Sequence, residues 1–160
     1  MTRFADLADG GVQLAPLVEQ AVAALPNPCL LAILPDGVPV AESLADILGL
    51  PIMAVALDRE GEPSVRDLPD VRDRVVIVVD AGVETGTAAR LVGAAVREAG
   101  AGQMLLAVPV CPREAQVGLE RIYDVVVAVD RPMVRRDLRW HFTDVGTVDE
   151  AEALRRLDAR

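Results

Sequence analysis

Between Arg74 and Asp80 the chain reads Arg-Val-Val-Ile-Val-Val-Asp, five consecutive β-branched apolar residues with no polar position among them. A strand sends successive side chains to opposite faces, so this one has no face to show to water. It demands a sheet covered on both sides, which parallel strands with crossover helices supply. Further apolar strand runs are predicted over 29–34, 52–57, 104–110 and 124–129. Helix patterns lie between and before them, over 9–25, 38–48, 87–99 and 113–121, stopped by Pro26, by Gly49 and Pro51, and by Gly100 and Gly102. Strands alternating with helices predict an α/β fold, a parallel twisted sheet of about five strands with helices on both faces. Residues 58–73 hold Gly61, Pro63 and Pro69 and read as a polar excursion or mobile loop. Residues 131–146 show no period, and Thr147-Val-Asp-Glu150 reads as a capping box that opens a last helix to Leu157. The expected organisation is a single domain over 1–160, with its core over about 9–130 and a C-terminal segment over about 131–160.

Composition limits the partners. Hydrophobic residues make up 52% of the 160 residues and aromatic ones only 2%, so the core is aliphatic. The net charge is −9, and every cation besides the single histidine is an arginine. Nucleic acid and anionic membranes are therefore not expected as partners. The apolar runs are broken before they reach membrane-span length. Residues 1–6 carry an acid early and no apolar signal core, so a cytoplasmic location is expected. Cys29 and Cys111 lack metal-type spacing and read as buried free thiols in a reducing compartment. A homodimer is compatible with so aliphatic a chain.

The apolar strand also carries the chemistry. It ends on a carboxylate, Asp80, and a turn of Ala81, Gly82, Val83, Glu84, Thr85 and Gly86 leads into a helix near Thr87 and Ala88. A strand that feeds a helix through such a turn aims backbone N–H groups and a helix N-terminus at one point, where a phosphate is favoured. The carboxylate at the strand end is placed to accept sugar hydroxyls. Asp80 is thus the candidate hydroxyl acceptor and catalytic residue, and residues 81–88 are the candidate phosphate turn. The plainer alternatives are a carboxylate that caps the turn and a threonine that caps the helix. Glu84 either points to solvent or fills the anion site itself.

Four further stretches accompany the turn: Leu34-Pro35-Asp36-Gly37-Val38-Pro39-Val40-Ala41, Ala107-Val108-Pro109-Val110, Trp140-His141-Phe142 with Asp144, and an opening Phe4-Ala-Asp6 with Asp9-Gly-Gly11. In this order and at these separations they resemble the motifs of type I phosphoribosyltransferases, the family that uses 5-phosphoribosyl-1-pyrophosphate (PRPP). The resemblance implies transfer of ribose 5-phosphate to a nitrogen nucleophile, usually a nucleobase, with release of pyrophosphate and help from Mg²⁺. It implies that Asp36, Gly37 and Val38 line the pyrophosphate side, and that Asp36 or Asp80 meets the metal. It implies that the C-terminal segment forms a small hood over the acceptor, with Arg131 and Trp140 in it. Tyrosine is usual where His141 stands, so that histidine is read as a packing or surface residue. Four features depart from the family pattern. Glu84 puts an anion just before Thr85-Gly86, where a small residue is common. Asp36-Gly37 replaces Arg-Gly-Gly and is one residue shorter, Ala81 replaces the second acid, and residues 58–62 hold three acids against Arg59 alone. They keep a second reading open, a non-catalytic module on the same fold that binds PRPP or a nucleoside 5′-monophosphate and regulates a partner.

Overall fold

The computed structural model describes residues 3–160; the first two residues of the stretch read for a leader lie outside them. Among the described residues six strands form one sheet: β1 Cys29–Ile33, β2 Ile52–Asp58, β3 Ser64–Arg66, β4 Val75–Val79, β5 Gln103–Val110 and β6 Val125–Asp130. Their spatial order is β3-β2-β1-β4-β5-β6. Every pairing is parallel except that of β2 with β3. The helices are α1 Leu7–Val22, α2 Gly37–Leu48, α3 Thr87–Glu98, α4 Arg113–Leu119 and α5 Glu150–Asp158, with a 3₁₀ turn at Leu138–His141. No helix among the described residues is long and apolar enough to cross a membrane.

β4 shows why its sequence requires this architecture. All of its residues are buried. Val75, Ile77 and Val79 join the core under α1, α2 and α5, while Val76 and Val78 join the core under α3 and α4. Fully burying such a side chain is worth about 1.5–3 kcal/mol, so both faces of this strand contribute to stability. Cys29 and Cys111 are free and buried, and burial pushes both thiols up, that of Cys111 to about 11.

Three expectations need correction. The excursion over 58–73 contains a sixth strand: β2 runs on to Asp58 and turns back through β3 as an antiparallel arm. Arg66 holds that arm, its guanidinium reaching Asp58 at 2.9 Å, Asp67 at 2.8 Å and Glu150 of α5 at 3.1 Å. These pairs are solvent-exposed and contribute little to global stability. Arg66→Ala is accordingly expected to speed proteolytic cutting within 59–63 while leaving the thermal midpoint nearly unchanged; limited proteolysis beside a melting curve checks both. The first helix starts at Leu7, not at residue 9, because Asp6 caps it by accepting the Asp9 N–H at 2.8 Å. The last helix is capped by Asp149, which accepts the Glu152 N–H at 2.8 Å, so the expected Thr147 box lies two residues too early. Asp149 also places Glu150 and Glu152 in the first turn, where the helix dipole favours acids.

The C-terminal segment is tied down at both ends. Phe4 bridges to Phe142, their ring centroids 5.3 Å apart, and the Phe4 N–H donates to His141 O at 3.0 Å. At the other end Arg156 of α5 pairs with Glu42, and Arg160 beyond it with Asp46, both acids on α2.

Candidate functional site

The chain leaves β1 through α2 toward β2 on one side, and leaves β4 through α3 toward β5 on the other. Neighbouring strands whose connections diverge in this way open a crevice beyond their carboxyl ends, where ligands of open α/β sheets bind. Asp36 follows the end of β1 and Asp80 the end of β4, so the two motifs that the sequence singles out meet at this crevice. Their approach is close. A Cβ on Gly37 would lie 2.5 Å from Val79 O and 3.3 Å from Asp80 Cα.

The turn after β4 is held by its own backbone and side chains. The Ala81 N–H donates to Asp80 Oδ1 at 2.7 Å, and the Val83 N–H donates to Val110 O at 2.9 Å, which fastens the turn to the end of β5. Gly86 adopts φ +88° as the residue before α3, a left-handed conformation natural to glycine. The Thr85 and Thr87 hydroxyls are 3.1 Å apart, and Arg90 donates to Thr85 O at 3.0 Å. The amides of Thr85, Gly86 and Ala88 make no hydrogen bond to any described residue. They are the free donors that an anion at this helix N-terminus needs.

A cavity of about 240 Å³ lies over the turn, lined by residues 80–89 together with Asp36, Arg59 and Leu138. Asp80 is half-buried at its edge. Burial raises its carboxyl from 3.8 to about 7; the Ala81 N–H opposes that rise, the charge of Asp36 adds to it, and Arg59 opposes it. Asp36 is raised too, by the protein around it, with Arg59 again opposing. A second cavity of about 580 Å³ adjoins the first and shares Asp36, Ala81, Glu84 and Leu138 with it. Its far wall is the segment Val145 to Asp149 together with Asp137 and Arg139.

Of the residues read from the sequence, Asp80, Ala81, Gly82, Val83, Glu84, Thr85, Gly86, Thr87 and Ala88 all line the first cavity. Asp36 lines both cavities. Gly37 and Val38 do not: both are buried, Gly37 against the end of β4 and Val38 in the core under α2. Arg131 turns away from the crevice and bonds Val126 O at 2.9 Å and the Gln116 side chain. Trp140 is also outside both cavities, 46% exposed, with Arg136 stacked 4.6 Å from its ring centre. His141 is buried edge-on against Trp140, with Nδ1 3.5 Å from Asp130 Oδ2, and burial lowers its pKa. It packs, as its place in the motif suggests. Glu84 neither points freely to solvent nor fills the turn: its Oε1 accepts the Leu138 N–H at 2.9 Å. The sequence places Leu138 and Arg139 only within the C-terminal hood and gives the wall 145–149 no ligand role. Val145 and Val148, apolar residues three positions apart in an otherwise small and polar stretch, are the local signal for that wall.

The phosphoribosyl transferase domain family matches residues 14–142. No curated protein matches the sequence. Among solved structures the chain is similar to TT1426 from Thermus thermophilus, with 22% identity and a TM-score of 0.84 over 98% of each chain. It is similar to a purine phosphoribosyltransferase from Pyrococcus horikoshii, with 20% identity and a TM-score of 0.61 over 89% of this chain and 91% of that one. It is also similar to a hypothetical protein from Neisseria gonorrhoeae with bound ppGpp, with 19% identity and a TM-score of 0.63 over 96% of this chain and 92% of that one. At these identities the structural likeness speaks for the fold alone.

Proposed function

The chain belongs to the phosphoribosyl transferase domain family, and we propose that it binds ribose bearing a 5′-phosphate, as PRPP or a nucleoside 5′-monophosphate, and transfers ribose 5-phosphate from PRPP to a nitrogen acceptor. The observation that carries this reading is the turn of free amides at Thr85, Gly86 and Ala88 beside Asp80, at the point where the sheet connections diverge. In this account the amides and the α3 N-terminus hold the 5′-phosphate. Asp80, once ionised, accepts the ribose hydroxyls and fixes the ring. The bond from C1 to the pyrophosphate oxygen breaks with its electron pair leaving on pyrophosphate, a bond from the acceptor nitrogen to C1 forms, and the proton of that nitrogen passes to solvent. The positive charge that develops on the ring is stabilised by carboxylates already fixed around it. The larger cavity is the space for the acceptor, beside Leu138 and residues 145–149.

Among the described residues no three His, Cys, Asp or Glu converge on a metal position. Mg²⁺ is commonly held by one or two carboxylates together with substrate phosphates. Asp36 and Asp80 fit that role, since the two carboxylates share one cavity and the charge of Asp36 contributes to the raised pKa of Asp80. They would hold a metal that arrives with the substrate, and the metal would neutralise the departing pyrophosphate.

A second reading rests on a specific observation. Among the described residues Arg59 is the one cation that lines the first cavity, and the carboxylate of Asp36 lines it as well, on the side proposed for the pyrophosphate. A protein so arranged can keep a ribose-phosphate ligand without turning PRPP over. The ppGpp bound to the Neisseria gonorrhoeae neighbour supports phosphorylated purine nucleosides as ligands for that role. Incubation with PRPP, Mg²⁺ and a panel of nucleobases, read as pyrophosphate release, separates the two. Base-dependent release is expected for the transferase. Tight PRPP binding with no release for any base would transfer the argument to the regulatory reading.

A further inference from the structure

The two adjoining cavities share Asp36, Ala81, Glu84 and Leu138, and of these only Leu138 comes from the C-terminal segment, as a partition between them. Leu138 lines both of them. Its side chain lies over Gly82, so closely that a Cβ on that glycine would sit 2.5 Å from Leu138 Cδ2. Leu138 opens the 3₁₀ turn, whose preceding residue, Asp137, caps it by accepting the Arg139 N–H at 2.9 Å. That cap leaves the Leu138 N–H to find another acceptor, and it takes Glu84 Oε1 at 2.9 Å, 54 positions away in sequence. Glu84 is the residue immediately before Thr85 in the turn with the free amides. The acid that departs from the family pattern therefore reaches out of the turn and ties the partition to it.

This tie carries a charge, and the turn that bears it is proposed to receive a phosphate dianion. We infer that Glu84 is a positioning residue that holds Leu138 over the phosphate turn, and that a phosphate bound at residues 85–88 weakens this hold and lets the two cavities join. The electrostatics set the direction. In the free protein the Glu84 carboxylate accepts from one backbone donor, the Leu138 N–H. A bound phosphate sets a like charge beside that carboxylate. The repulsion favours a Glu84 side chain turned away from the turn, where water solvates it. Leu138 then loses its anchor, and the wall between the ribose-phosphate cavity and the acceptor cavity is free to move. The acceptor cavity thus becomes continuous with the ribose only when the ribose phosphate is in place.

The inference rests on the phosphate reading of the turn, and amide hydrogen exchange at Leu138 tests the two separately. The tie itself needs no ligand: in the free protein Glu84→Ala is expected to speed Leu138 exchange about tenfold or more, while amides inside β4 keep their protection and report that the fold is intact. Unchanged Leu138 exchange in that variant overturns the tie. The coupling is read with ribose 5-phosphate as the probe, at a concentration that calorimetry shows to be saturating. Leu138 exchange is expected to rise in the native protein and to rise far less in Glu84→Gln, which keeps an acceptor oxygen but loses the charge. Binding with no change at Leu138, or an equal rise in Glu84→Gln, overturns the coupling. If ribose 5-phosphate does not bind, the phosphate reading fails and the coupling falls with it, while the Glu84→Ala result still decides the tie.

Discussion

Replacing Asp80 with asparagine is expected to weaken PRPP binding by about ten- to a hundredfold, the usual worth of hydrogen bonds to a charged acceptor, and above neutral pH to raise the thermal midpoint of the free protein. The two effects have one cause. Burial first, and the charge of Asp36 as a further contribution, lift the Asp80 carboxyl from 3.8 to about 7. In the unfolded chain the group loses its proton near 3.8; in the folded protein it keeps the proton until about 7. Between those values the folded state binds more protons, so stability falls as pH rises across that window. The contribution of Asp80 is fully present below the unfolded value and is lost as pH passes the folded one. Asparagine carries no charge to desolvate and should remove this slope, so the variant gains most above about pH 7. Ligand binding has the opposite dependence. Only the ionised carboxylate can accept from two hydroxyls at once, so PRPP affinity in the native protein should increase as pH rises through about 7. Melting curves and PRPP titrations at intervals from roughly pH 5 to roughly pH 8, a span that brackets the folded-state titration, check both halves. A variant that binds PRPP as well as the native protein would remove Asp80 from the site.

The second large effect is expected at Gly37. Its missing side chain lets the start of α2 meet the end of β4, since a methyl group there would lie 2.5 Å from Val79 O and 3.3 Å from Asp80 Cα. Both neighbours are backbone and cannot step aside without moving the strand end that presents Asp80. Gly37→Ala is therefore expected to cost about 1–3 kcal/mol, the usual cost of overpacking, and to reduce PRPP binding by more than the lost stability explains. Gly11→Ala provides the control. Its methyl would fall on Val40 O, where α1 crosses α2, away from both cavities. Denaturant midpoints should fall in both variants, and PRPP affinity of the folded fraction should fall only in Gly37→Ala. Equal loss of affinity in both would mean that Gly37 acts through general stability and not through the crevice.

The parts of this site that were legible in the sequence are those whose causes are local. An all-apolar β4 can exist only between two helical layers, and the turn that follows it is continuous in sequence, so Asp80 and residues 81–88 emerge together. The alternation of strands and helices made the parallel core legible for the same reason. The rest depends on contacts between distant residues. β3 is three residues long and forms because β2 offers an open edge and Arg66 finds Glu150 of α5, neither of which a window of sequence reveals. The resemblance puts Arg131 in the hood over the acceptor, but Val126 O and Gln116 become its partners once β6 and α4 are packed. For Glu84 the sequence leaves solvent and the anion site as alternatives, because its acceptor role depends on Leu138, which the fold alone brings to it. Val38 fell on the wrong side of a helix start: it directs its side chain into the core, while Asp36 alone of the three pyrophosphate-side residues lines the cavities.

The central claim is that the turn after β4 and Asp80 together form a ribose-phosphate site. Calorimetric titration with ribose 5-phosphate, PRPP and pyrophosphate, each with and without Mg²⁺, tests it most directly. The account predicts that ribose 5-phosphate and PRPP compete for one site, with PRPP the tighter ligand and its advantage dependent on Mg²⁺. Equal affinities would keep the site and favour the non-catalytic reading. Absence of binding by both sugar phosphates, to a protein shown to be folded, would contradict the claim.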